Sequence, residues 1–128
     1  MAESDLKVHK EVSGAYTEVN LNYSGATQKT PSAGALTIGF TDADPVIIYT
    51  VLGAAITSLT FTTSGAIVGK CIDWYIKGDY AITFDAAYIK TSGSEAYGGV
   101  HAIVQLRCAV NPTDGMTQFW YCIINKSA

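Results

Sequence analysis

Few residues in this chain combine a reactive type with a spacing that chemistry can use. His9 lies in a charged N-terminal stretch, and His101 falls on the polar face of an alternating segment. His101 with Asp73 or Asp85 makes an imaginable acid–base pair, but no spacing demands it, and a solvated surface histidine is the simpler reading. A GxSxG nucleophile elbow, a P-loop and an HExxH motif are all absent. Cys71, Cys108 and Cys122 are far apart with no CxxC spacing, so they read as reduced, buried or half-buried thiols. With two histidines they supply no zinc-ligand pair. Asp42 and Asp44 form a D-x-D before Pro45 that could hold calcium, although turn-stabilising bonds from the same carboxylates explain them more simply.

Aromatic residues offer a second kind of chemistry, because flat rings stack on the apolar face of a sugar. Tyr75, Tyr88, Tyr97 and Tyr121 are the candidates, and Tyr97 is the most exposed by its loop position. Strands carry the same residues for packing and cross-strand pairs, and that use outweighs the sugar reading. The sequons at Asn22-Tyr23-Ser24 and Asn125-Lys126-Ser127 read as chance matches, since no apolar leader precedes them. No catalytic set, cofactor site or metal site is expected, and the chain is not read as an enzyme.

The elements that would position these residues are strands. Strands are read over residues 15–23, 35–40, 46–51, 56–63, 70–77, 80–84, 87–90, 101–110 and 117–125, with apolar side chains recurring at a period near two from Val19 to Tyr23 and in 56–63, 70–77 and 101–110. In 56–63 the set Thr57, Leu59, Phe61 and Thr63 is the expected inner face, with Ile56 outside. In 70–77, Ile72, Trp74 and Ile76 point inward. In 101–110, Ala102, Val104, Leu106, Cys108 and Val110 do so. Gly78-Asp79 suits a two-residue hairpin between 70–77 and 80–84. Asn111-Pro112-Thr113-Asp114-Gly115 is a strong turn signal. About eight or nine strands with turns roughly every ten residues predict an all-β, single-domain antiparallel β-sandwich, jelly-roll-like. Residues 1–14 lack strand alternation and are set apart as an extended N-terminal arm, either frayed or ordered by a partner, with the sandwich at 15–128.

Composition agrees. The 128 residues are 48% hydrophobic but only 15% charged, against a usual ~25% charged. That argues against disorder and against a helical bundle or coiled coil. A net charge of -3 with 8 Lys+Arg leaves no basic footprint for nucleic acid. The N-terminus has no apolar segment of a signal peptide, and no stretch is long enough to cross a bilayer as a helix. So little charge on a small domain implies either a Thr/Ser-coated surface or a surface hidden against partners.

From about Gly34 to Lys126 the order of segments resembles a family of β-sandwich domains in bacteriophage virion proteins: head fibres, tail fibres and capsid decoration proteins. The segments are SLTFTT, a glycine turn ending at Gly69, CIDWYI, KGDY, ITFDAAYIKTSG, AIVQLRCAV, PTDG and the aromatic FWY. The chain departs from fibre members in having no coiled or repetitive stalk ahead of the domain. The resemblance therefore implies a freestanding decoration, or cement, protein that binds the outer surface of a phage capsid and stabilises it. Its implied partners are itself, as a homotrimer, and the major capsid protein, with neither nucleic acid nor membrane. Its implied place is the virion surface, after synthesis in the host cytoplasm. The arm would meet a neighbour through Leu6, Val8 and Val12, and Tyr97 would add a contact from its loop. The alternative is a receptor- or carbohydrate-binding module of a phage fibre.

Overall fold

The structure is a computed structural model that describes residues 7–12, 15–20, 26–91, 97 and 101–126, with side chains for 26–91, 97 and 102–124. Among them there is no helix. The ten strands are β1 (Lys7–Val12), β2 (Ala15–Asn20), β3 (Thr27–Gln28), β4 (Ala35–Ile38), β5 (Ile47–Val51), β6 (Ser58–Phe61), β7 (Cys71–Lys77), β8 (Ile89–Lys90), β9 (His101–Val110) and β10 (Thr117–Lys126). They form a six-stranded sheet in the order β3-β5-β7-β9-β10-β8 and two-stranded sheets β4-β6 and β1-β2.

The large sheet is mixed, which corrects the antiparallel expectation. β9 pairs antiparallel with β7 and β10, but β3-β5, β5-β7 and β10-β8 are parallel, and so is β4-β6. The cause is that the chain alternates between sheets from β4 to β7. β5 and β7 enter the large sheet from the same end because the chain between them passes through β6 in the small one. Parallel neighbours need such a crossover, whereas a short turn makes only antiparallel ones. The turn at Asn111 to Gly115 is of that second kind and joins β9 to β10, with the Gly115 N–H donating to the Asn111 carbonyl at 2.8 Å.

One core lies between the inner face of the large sheet and β4-β6. Ile48, Ile72, Trp74, Val104, Leu106 and Cys108 from the large sheet share it with Leu36, Ile38, Phe40, Leu59 and Phe61. Phe119 joins the layers, its ring centroid 4.9 Å from Phe40 and 5.5 Å from Phe61. Trp74 is fully buried, as its alternation predicts. Its indole N–H donates to Thr50 Oγ1 at 2.8 Å, and the Thr50 hydroxyl donates to the Lys29 carbonyl at 2.8 Å.

Three details differ from the alternating pattern. Ile56 is buried, while Thr57 and Thr63 are exposed. The amides of both Thr57 and Ser58 donate to the Gly34 carbonyl, at 2.9 and 3.1 Å. This bulge-like pairing sets two residues against one and resets the side-chain phase before β6. Residues 80–84 form no hairpin with β7, whose two edges are already taken by β5 and β9. Gly78, at φ +123, packs against Leu52 and turns the chain away, and Ile82 instead makes a single parallel bridge with Ile56. Val110, the last residue of β9 and next to the turn, is 43% exposed.

The N-terminal segment also differs. β1 pairs with β2 from Lys7↔Asn20 to Val12↔Ala15, so strand pairing runs across the 14/15 boundary. In that register Val8 stands opposite Val19 and His9 opposite Glu18.

Tyr88 closes the other edge of β6. Its hydroxyl accepts from the Phe61 N–H at 2.6 Å and donates to the Leu59 carbonyl at 3.3 Å, standing in for a neighbouring strand. Its ring stacks on Phe61 at 4.2 Å. Burial raises its pKa above the ordinary value.

Trp74→Ala should cost about 3–5 kcal/mol in denaturant unfolding, the range for an aromatic core truncation. Tyr88→Phe keeps the ring and removes both hydrogen bonds, so a loss of about 1–3 kcal/mol is expected. The Ser32 and Ala35 backbones exchange two hydrogen bonds across Ala33, at φ 49, and Gly34, at φ 79. This tight turn favours Asn-Gly. Ala33→Asn should therefore raise stability by about 0.5–1 kcal/mol, measured in the same way.

Candidate functional site

Period-two alternation gives the large sheet a second face, turned away from the core. The strand register aligns Tyr49, Tyr75, Ile103 and Ile124 in one row across β5, β7, β9 and β10. Tyr75 is 45% exposed, Ile124 47% and, next to the row, Val51 53%. A shallow groove of about 450 Å³ runs over Tyr49, Val51, Tyr75, Lys77 and Ile103. Tyr49 is tied at the edge by its hydroxyl, which donates to Gln28 Oε1 at 3.3 Å.

The flanking rows differ in charge. On one side Val51 aligns with Lys77, and on the other Ile47 aligns with Asp73 and Gln105. Beyond Asp73 comes a row of Cys71, Arg107 and Trp120. A second groove, of about 380 Å³, includes Asp73, Gln105, Arg107 and Trp120. Parallel strands are normally covered on both faces, because their crossovers lie over them. Here β5 and β7 are parallel, yet Tyr49, Val51 and Tyr75 remain exposed.

Of the sequence-predicted contact residues, Tyr97 is the one whose side chain lies among the described residues. Tyr97 is half-buried against the core rather than exposed, which corrects its expected role as the loop's free aromatic. Its hydroxyl donates to the Gly78 carbonyl at 2.6 Å. Burial first, and then the Asp79 charge, raises its pKa. Val8 and Val12 lie on β1, with side chains outside the described residues. Leu6, Tyr23, Ser127, residues 92–96 and residues 98–99 also lie outside them.

Of the sugar candidates, Tyr75 alone is well exposed. Tyr88 caps β6, and Tyr121 stacks on Phe84 at 4.1 Å between centroids. In the β7-β9 register His101 stands opposite Lys77, whereas Asp73 stands opposite Gln105. Four residues of strand, roughly 13 Å, separate the two pairs, so the imagined His101–Asp73 couple has no backbone support. No disulfide joins the cysteines: Cys71 is exposed, Cys108 buried and Cys122 half-buried. Burial raises the Cys108 pKa.

The Asp42-Asp44 loop closes on itself. Asp44 Oδ2 accepts from the Thr41 N–H at 2.9 Å and from the Thr41 hydroxyl at 2.7 Å, while the Asp44 N–H donates to the Thr41 carbonyl at 3.1 Å. The Lys70 ammonium donates to the carbonyls of Thr41 and Asp44, where a bound cation would also find oxygen. The carboxylate lies so close over Gly39 that a side chain there would collide with it. Among the described residues no group of three or more His, Cys, Asp or Glu is placed to hold a metal ion.

Comparison with protein-family models, with curated proteins and with solved structures finds no match to this chain.

The Asp44 pKa lies below its ordinary 3.8, chiefly through the Thr41 N–H and then the Thr41 hydroxyl. A depressed carboxylate stabilises the fold above its unfolded pKa and loses that contribution as pH falls through the folded value. Asp44→Ala should therefore lower Tm at pH 7, with the gap to wild type narrowing as melts are taken below pH 3.8.

Proposed function

We propose that the chain is a structural protein of a bacteriophage particle, a capsid decoration or cement protein working by surface contact rather than by catalysis. The observation that carries this reading is the uncharged row Tyr49, Tyr75, Ile103 and Ile124 on a sheet face of a chain already poor in charge. Reinforcing a shell needs complementary surface and low conformational freedom, and no reactive group. The groups with displaced pKa values support the non-catalytic part. Asp44 closes a turn, Tyr88 caps a strand edge, Tyr97 ties down a loop, and Cys108 is simply buried.

β4-β6 facing the large sheet across one core supports a two-layer sandwich, though its parallel crossovers depart from a simple jelly roll. The partners are copies of the same chain, arranged about a threefold axis as the resemblance implies, and the major capsid protein. The place of action is the outer surface of the virion, after synthesis in the host cytoplasm.

The test uses particles purified on a density gradient from cells that carry the gene. The protein should co-purify with the shells in many copies. Stripping it should lower the temperature at which the shells fail, and adding it back should restore that temperature. Particles free of the chain, or shells that fail at one temperature with and without it, would contradict the proposal.

A further inference from the structure

The charges beside the apolar row specify how it would be covered. The geometry points to a second copy of this chain, packed sheet face to sheet face about a twofold axis that runs along the row Tyr49, Tyr75, Ile103 and Ile124. Such an axis lies between the two sheets, maps the row onto itself and exchanges the rows on either side. Lys77 of each copy then faces Asp73 of the other, and Val51 faces Ile47, since both pairs lie two residues either side of the row. A twofold axis along the strands would instead set Lys77 against Lys77 and Asp73 against Asp73. Charge complementarity therefore selects the first arrangement. Lys77 is exposed and Asp73 half-buried, so both side chains reach the face.

Sheets pack face to face about 10 Å apart with interdigitating side chains, and Tyr75 and Ile103 would fill that layer. A contact that sets one patch against itself is isologous and requires a twofold axis. The contact rests on the same row as the proposed function; it can join two rings and leaves other surfaces for the threefold ring and the shell. The five strands from β3 to β10 span about 19 Å, and β7 runs about 20 Å, a footprint near 400 Å² per copy. That is small for an obligate dimer and suits concentration-dependent association.

Sedimentation equilibrium of the full chain up to about 1 mM tests the inference. Wild type should self-associate reversibly. Asp73→Lys and Lys77→Asp alone should each weaken association about tenfold, because each creates two like-charged pairs per dimer. The double variant should restore it. Tyr75→Glu should abolish association while circular dichroism and Tm show a folded chain. A wild type monomeric throughout, single reversals without effect, or a double variant no tighter than the singles would overturn the arrangement.

Discussion

The buried indole of Trp74 is the constraint on which the rest of the structure depends. It sits in the middle of β7, which has a parallel neighbour on one side and an antiparallel one on the other. An indole N–H cannot be left unpaired in a core, and the acceptor is Thr50 on the parallel neighbour β5. Thr50 in turn reaches the Lys29 carbonyl just beyond β3. Three strands are thereby locked in one register. With a period of two, the register that buries Trp74 and Thr50 also turns Tyr75 and Tyr49 outward together. The interior hydrogen bond thus fixes the exterior row.

Strand existence and facing were readable in the sequence where strands are long and amphipathic. Ile72, Trp74 and Ile76, and Ala102, Val104, Leu106 and Cys108, are buried as their alternation requires. The turn before β10 was equally legible, because Pro112 and Asp114-Gly115 encode local geometry. Partnering was not. Whether two strands run parallel depends on which sheet the intervening chain visits, and periodicity carries no record of that. Gly78-Asp79 has the chemistry of a hairpin turn, but the neighbouring strands had already claimed both edges of β7. The burial of Ile56 depends on a bulge at the Gly34 carbonyl, a contact remote in sequence.

The candidate face was half-legible for the same reason. Tyr75 stood out as an aromatic on an outward position. Its alignment with Tyr49, Ile103 and Ile124 emerges only once the β5-β7 and β7-β9 registers are known. Tyr97 illustrates the opposite error. A tyrosine in a glycine-bearing loop looks free, yet its ring packs on the core and its hydroxyl holds the Gly78 carbonyl. Low charge therefore has two sources in this fold: Thr- and Ser-bearing outward positions on the short strands, and an apolar row that presents surface for contact.

Hydroxyl-radical footprinting of the tyrosines over a range of protein concentrations tests the central claim most directly. Tyr49 and Tyr75 should lose reactivity together as the concentration rises, while Tyr80, 44% exposed and outside the row, should keep its own. Association without protection of Tyr75, or equal protection of Tyr80, would contradict the account.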